Sequence, residues 1–202
     1  MTTKARADHR FVVPARLLHW SMALMVIAQL LIGVIMVISL TYFPLLMSIH
    51  RPLGVIILVF AIARLINRLR HRPPPFLDTM RPLERRIATW SERLVYALLL
   101  LQPLTGWAML SAAQDPVILV WRLRLPPIAP GNADLFAGLR CAHEVLAFLL
   151  LAIFTVHICA VLFHNLVLRD DLFDRMSLWP RTATQRGSTV ATGTTAIIDR
   201  PR

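Results

Sequence analysis

The sequence predicts an all-α membrane protein, a four-helix antiparallel transmembrane bundle with both termini in the cytoplasm. Three observations predict this class. Of the 202 residues, 56% are hydrophobic and only 16% are charged, whereas a soluble domain carries roughly a quarter charged residues. Four apolar stretches are long enough to form membrane helices. The basic residues are concentrated in alternate connections between those stretches, which is typical of a multi-pass protein.

The composition also excludes several other classes. The chain has no collagen-like glycine period and no sustained heptad, and it is too apolar to remain disordered. Its net charge of +11 is spread between apolar runs and forms no single patch, which argues against nucleic acid and for a lipid bilayer. Cys141 and Cys159 form neither a C-x-x-C pair nor a disulfide framework.

The first two helices follow from the charge-free stretch between Leu17 and His50. A membrane helix needs about 20 apolar residues, so this stretch predicts a helix over 17–39, a turn around 41–44 and the start of a second helix over 47–68. Arg51 and Arg64 fall near the ends of the second helix, where long basic side chains can reach the head groups. The prolines at 73–75 should prevent this helix from continuing further.

The third and fourth helices are predicted over 92–114 and 142–168, each around an uncharged stretch of membrane length. The helices define one domain over 17–176, preceded by a cytoplasmic arm at 1–16. The last segment, 177–202, is predicted to be a disordered cytoplasmic tail, because it is rich in Thr, Ser, Arg and Gly and has no aromatic residue beyond Trp179.

Orientation follows from the Lys and Arg residues. Eighteen of the 22 lie on one side: four before helix 1, eight from Arg64 to Arg93 around the connection of helices 2 and 3, and six from Arg169 onward. By the positive-inside rule these three segments are cytoplasmic. The opposite, outer side has four basic residues: Arg51, Arg122, Arg124 and Arg140. The first apolar run lacks a small-residue cleavage site and is expected to remain as a helix.

Four of the histidines are informative because of their depth in the predicted helices: His19, His50, His143 and His157. His143 and His157 are 14 residues apart on helix 4, which is about four turns and about 21 Å of rise, so both face the same side. His50 matches the depth of His143, and His19 matches the depth of His157. The sequence therefore predicts an outer pair, His50 with His143, and an inner pair, His19 with His157.

Two imidazoles on facing helices are the ligands that six-coordinate haem iron requires, so two stacked haems are predicted. Zinc is disfavoured because neither pair gathers a third or fourth ligand. Two alternatives remain open: each histidine is an interfacial polar residue, or the histidines form a proton relay. No C-x-x-C-H motif is present, so the haem should be non-covalent and b-type.

Three further residues lie near the depths of the two pairs: Gly33 at the outer level, Gly54 one turn inward from His50, and Arg64 at the inner level. Gly33 and Gly54 either let a flat macrocycle approach the backbone or serve close helix packing. Arg64 lies 14 residues after His50, at the inner level, where it either meets a haem propionate or extends to the head groups.

Over residues 16–176 the chain resembles the bacterial cytochrome b561 family, specifically its short four-helix members with two haems. The resemblance rests on five motifs: R-L-L-H-W around His19, H-R-P-L-G with a following A-R-L at 50–65, P-L-T-G-W at 103–107, A-H-E at 142–144, and H-I-C-A-V-L-F-H with R-D-D-L-F-D-R-M in and after helix 4. The four paired histidines fall where this family places its axial haem ligands. The resemblance also implies a multi-pass protein of the bacterial inner membrane.

The resemblance implies a superoxide:ubiquinone oxidoreductase. We expect electrons to enter from superoxide at the outer face and to reach ubiquinone in the membrane. Arg51 and Arg140 are the candidate residues that attract the superoxide anion, and His164, seven residues beyond His157, is the candidate ubiquinone contact. The alternative function, also represented in the family, is a haem-bearing membrane anchor that exchanges electrons with a partner dehydrogenase or hydrogenase.

Overall fold

The computed structural model describes residues 10–71, 73–76, 80–119, 123–168 and 172–178. Four long helices make up most of this part: α1 (Val13–Ile38), α2 (Phe43–Arg70), α3 (Pro82–Ala112) and α4 (Ala133–Leu162). A π-helical turn (Phe163–Leu168) continues α4, and a short helix α5 (Leu172–Met176) follows. Within the described ranges the only β-pairing is an isolated bridge between Ile118 and Arg124.

The four predicted spans are confirmed, since each long helix is long and apolar enough to cross a membrane. The helices nevertheless begin earlier than the hydropathy pattern indicates. Helix α3 begins at Pro82 instead of 92, and α4 begins at Ala133 instead of 142. Their first turns carry charged residues that a search for apolar runs misses. Proline at the start of α3 and the Asn132 cap, which accepts a hydrogen bond from the Leu135 amide at 2.8 Å, fix these starts.

Successive helices pack against each other, α1 on α2, α2 on α3 and α3 on α4. The buried centre contains residues from all four: Met22, Val26, Ile57, Ala61, Leu98, Leu99 and Leu150. Many other large apolar side chains point outward, and Leu24 on α1 is 71% exposed. An apolar outer surface of this kind is suited to lipid.

At one end of the bundle, the two ends of the described chain meet. The Phe11 amide donates to the Arg175 carbonyl at 3.2 Å. Arg175 donates to the Pro75 carbonyl at 2.6 Å, and the Trp20 indole donates to the Met176 carbonyl at 2.9 Å. The segments before α1, after α2 and after α4 therefore share one end, here called the inner end. Its cytoplasmic orientation stays a prediction, and residues 1–9 and 179–202 lie outside the described ranges.

At the outer end, the connection between α3 and α4 folds back onto the tip of α3. The Trp107 indole donates to the Pro126 carbonyl at 3.0 Å, and the Asn132 amide donates to the Ala112 carbonyl at 3.1 Å. Arg51 on α2 forms an ion pair with Asp115 of this connection at 2.6 Å. The connection is thereby tied to the turn of α2 that carries His50. Arg122, predicted on this side, lies outside the described residues.

Candidate functional site

The outer histidine pair joins α2 to α4. The ring centres of His50 and His143 lie 6.3 Å apart, and the two ring planes are inclined by 78°. Both side chains are half-buried. The structure therefore brings together, across two helices, the two histidines that the depth argument matched at this level.

The ring of His143 is oriented by α3. Its Nδ1 lies 3.1 Å from the carbonyl oxygen of Gln102, which can only accept, so Nδ1 carries the proton. The lone pair of the neutral ring is then on Nε2. Hydrogen bonding of one ring nitrogen to a backbone carbonyl is the usual way in which proteins orient a metal-ligating histidine.

Gly106 on α3 makes room for the His143 ring. A Cβ atom at position 106 would lie 3.0 Å from His143 Cε1 and 3.3 Å from Nδ1. Those separations are below ordinary van der Waals contact, so any larger residue would push the ring away. The glycine of the P-L-T-G-W motif thus permits the helix to approach the histidine.

The inner pair joins α1 to α4 at the other end of the bundle. The ring centres of His19 and His157 lie 6.5 Å apart, with an angle of 66° between the ring planes. His19 is half-buried, whereas His157 is exposed on the surface of the bundle. The structure again brings together the two histidines that were matched by depth.

Arg64 lies directly against the inner pair. Its Nη1 is 2.8 Å from His19 Nδ1, and its Nε donates to the hydroxyl of Tyr96 at 3.1 Å. The guanidinium carbon also lies 5.7 Å from the centre of the Tyr96 ring. One turn further along both helices, Arg68 forms a two-point ion pair with Glu92, at 2.7 and 3.1 Å. The inner end of the α2–α3 interface is therefore lined with charged and polar groups.

The two gaps fit a metal ion held by one imidazole on each side. A metal–imidazole bond of about 2 Å, with about 1 Å from the nitrogen to the ring centre, puts the two ring centres about 6 Å apart. The observed separations of 6.3 and 6.5 Å agree with this geometry. Within the described ranges no group of three or more His, Cys, Asp and Glu side chains gathers to hold a metal. Two axial nitrogens alone are the donor set of haem iron.

The other predicted residues lie at different distances from these pairs. Arg51 is next to His50 in the chain, but its guanidinium is engaged by Asp115. Arg140 is exposed on α4, one turn before His143. A Cβ atom added to Gly54 would lie 3.4 Å from the Gln29 side chain, whereas a Cβ atom added to Gly33 would meet nothing within 4 Å. His164 lies in the π-helical turn, with its ring centre 6.2 Å from that of Phe163.

Four residues next to the histidines were missed by the sequence reasoning: Gln29, Tyr96, Gln102 and Gly106. Gln29 and Gln102 carried a signal that was available, because an amide side chain within a membrane helix is costly and usually functional. Tyr96 and Gly106 gave no such signal, since their contacts depend on which helices are neighbours.

Comparison with known proteins agrees with this geometry. The sequence profile of the family described as prokaryotic cytochrome b561 matches residues 10–178. The chain is 29% identical to a probable superoxide oxidase CybB of Yersinia pestis over 136 residues, covering 67% of this chain and 77% of the relative. It is 25% identical over 177 residues to cytochrome b561 homolog 2 of Escherichia coli strain K12, covering 83% of this chain and 90% of the relative.

The profile match covers most of the chain, including all four helices and both histidine pairs. Membership of this family implies haem b, electron transfer and a multi-pass location in the bacterial inner membrane. The chain therefore belongs to the prokaryotic cytochrome b561 family.

Proposed function

We propose that this protein holds two b-type haems, oxidises superoxide at its outer face and reduces ubiquinone within the membrane. The observation that carries the proposal is the presence of two histidine pairs at opposite ends of one bundle, each with a ring separation that suits an iron atom. The name of the Yersinia pestis relative, a probable superoxide oxidase, supports the choice of electron donor.

The four histidines His19, His50, His143 and His157 are the residues that would hold the two haems, one haem at each pair. Haem, when bound, supplies the one-electron chemistry. The chain supplies ligation, orientation and exclusion of water. The hydrogen bond from His143 Nδ1 to the Gln102 carbonyl leaves Nε2 as the nitrogen available for iron.

Arg64 is the proposed partner of an inner haem propionate. Its hydrogen bond to His19 Nδ1 requires a lone pair on that nitrogen. A neutral ring that ligates iron through Nε2 carries its proton on Nδ1 instead, so the guanidinium would have to leave. Guanidinium pairs strongly with carboxylate, and Tyr96 remains as a second contact that keeps Arg64 nearby.

The outer arginines are the proposed attraction for superoxide. A focused positive charge raises the encounter rate of a small anion. Arg140 is the stronger candidate because its guanidinium is exposed, whereas Arg51 already pairs with Asp115 and contributes less net charge. Arg124, exposed in the α3–α4 connection, adds to the same field.

Ubiquinone is proposed to bind near His164, beyond the inner pair. The π-helical turn that carries His164 supports this position, because π-helical turns occur frequently at functional sites. The overall reaction balances when two superoxide anions each give up one electron and leave as dioxygen. Ubiquinone takes the two electrons and two protons from water at the inner side to become ubiquinol.

Anaerobic stopped-flow reduction of the purified protein by superoxide tests this proposal. We expect superoxide to reduce the haems, and we expect salt to slow the reaction because the Debye length is only about 8 Å at physiological ionic strength. Replacing both Arg51 and Arg140 with Gln should slow the superoxide reaction. Oxidation of pre-reduced haem by ubiquinone should change little, since that step is proposed at the other end.

A superoxide rate that is indifferent to salt and to the double substitution would refute the role of the arginines. Complete failure of superoxide to reduce the protein would favour the alternative function, a membrane anchor that receives electrons from a partner dehydrogenase or hydrogenase. Isolation of the protein in a complex with a second, redox-active polypeptide would then support that function.

A further inference from the structure

Two glutamines make the same contact with the two outer histidines. The Gln29 side-chain amide on α1 donates to the backbone carbonyl of His50 on α2, at 3.0 Å. The Gln102 side-chain amide on α3 donates to the backbone carbonyl of His143 on α4, at 3.1 Å. Each member of the outer pair is thus held from the preceding helix by an amide side chain.

The inner pair has a different environment. Arg64 contacts the ring of His19, and within the described ranges no side-chain amide forms a hydrogen bond with either inner histidine. The paired amide contacts therefore distinguish the outer site from the inner one. They are not a general feature of helix packing in this bundle.

The oxygen atom of each amide has no hydrogen-bond partner among the described residues. The Oε1 atoms of Gln29 and Gln102 are buried and accept no hydrogen bond from the described part of the chain. A buried, unsatisfied acceptor destabilises a protein, and a polar side chain within the membrane does so further. Among the described residues, each of these side-chain amides donates to an outer histidine of the neighbouring helix, which indicates that this hydrogen bond is the reason for the glutamine.

Gln102 has one additional contact that bears on the bound state. Its Nε2 lies 3.3 Å from Nε2 of His143. That contact uses the lone pair that iron would take. With iron bound, the Gln102 amide would therefore donate only to the backbone carbonyl of His143, just as the Gln29 amide donates only to the backbone carbonyl of His50.

We propose that Gln29 and Gln102 are positioning residues for the outer haem. They hold the backbone of His50 and His143 so that the two rings lie on opposite sides of the gap, with their centres 6.3 Å apart. This inference rests on the proposed function, because it assumes that the outer pair ligates a haem. It adds that the outer site depends on two amides that the inner site does not use.

The test compares Gln29→Met and Gln102→Met with Gln114→Met in the purified holoprotein. Methionine keeps the length of the side chain and removes the amide. Gln114 is an exposed glutamine at the same end, whose side chain lies against Gly131 and not against a histidine. Two readouts are measured: the rate of haem loss to excess apomyoglobin, and the midpoint potentials of both haems in an equilibrium redox titration. A His143→Ala variant identifies which signal belongs to the inner haem.

We expect outer haem to be lost about fivefold faster in each methionine variant, the effect of one missing hydrogen bond. The midpoint potential of the outer haem should shift, while the inner haem and the Gln114→Met variant should behave as in the wild type. Gln29→Leu and Gln102→Leu provide a second pair of variants, whose side chains also cannot donate a hydrogen bond, and should show the same selective defect.

Wild-type rates of haem loss and wild-type potentials in all of these variants would overturn the inference. Equal effects on both haems, or failure of every variant to assemble, would also overturn it, because the two glutamines are expected to affect the outer haem alone. A wild-type protein without two haems would instead refute the proposed function. The two failures are therefore distinguishable.

Discussion

At the scale of single residues, Gly106 shows how little space surrounds the outer histidines. Any other residue at this position has a Cβ atom, which would lie 3.0 Å from Cε1 of the His143 ring. Because α3 packs against α4, the ring has little freedom to withdraw. Overpacking of this kind destabilises a well-packed site by about 1–3 kcal/mol.

We therefore expect Gly106→Ala to weaken or abolish the outer haem while the inner haem is retained. Haem content by the pyridine haemochrome assay checks this result. Gly138→Ala is the matched control, because a Cβ atom at position 138 on α4 meets nothing within 4 Å. Equal haem content in the two variants would mean that Gly106 does not constrain the His143 ring.

The depths of the four histidines could be read from the sequence, but their neighbours could not. Helical rise and rotation relate residues on the same helix, such as His143 and His157, whatever the fold. The contacts of Gln29 and Gln102 depend on which helices are adjacent and how they are rotated. The contact between Arg64 and His19 likewise joins α2 to α1, so the sequence indicated only that Arg64 lies at the inner level.

At the scale of the elements, the α3–α4 connection is a largely exposed segment next to the outer pair. Its ion pair with α2, Arg51 with Asp115, is only partly exposed, with 26% and 50% of the two side chains accessible. Solvent screening at such exposures limits the pair to about 0–1 kcal/mol of stability. Its larger effect is on charge, because Asp115 neutralises an arginine beside His50.

Asp115→Asn should therefore increase the rate at which superoxide reduces the protein, and the increase should be larger at low salt. Stopped-flow absorbance of the haems measures the rate. Asp134→Asn is the control, since it removes the same charge from the outer end without touching Arg51. If Asp134→Asn accelerates the reaction as much as Asp115→Asn does, net charge alone accounts for the effect and release of Arg51 does not.

Element boundaries were less predictable than element number. Hydropathy located four spans because the hydrocarbon core requires continuous apolar length. It could not locate the first turns of α3 and α4, which carry charge and are defined by local capping at Pro82 and Asn132. The π-helical turn after α4 has no recognised sequence pattern and could be found only in the structure.

At the scale of the whole molecule, the bundle has two chemically different ends. The inner end gathers three segments around α5, and the outer end carries the α3–α4 connection. The distribution of basic residues predicts that the inner end faces the cytoplasm. We expect alkaline phosphatase fused after residue 202 to be inactive and alkaline phosphatase fused after Pro130 to be active.

Two quantities measured in intact cells test this orientation: the activity of the alkaline phosphatase fusions and the fluorescence of green fluorescent protein fused at the same two positions. Activity of the fusion after residue 202 together with inactivity of the fusion after Pro130 would reverse the orientation. The proposed superoxide site would then face the wrong compartment.

The central claim is that each histidine pair holds its own haem, and haem content of the four alanine variants tests it most directly. His50→Ala and His143→Ala should each lose the same haem, and His19→Ala and His157→Ala should each lose the other, as judged by haem-to-protein ratio and by the potential of the haem that remains. The wild type should contain two acid-extractable haems per chain. If His50→Ala and His157→Ala remove the same haem while the other remains, or if the wild type binds only one, the account is contradicted.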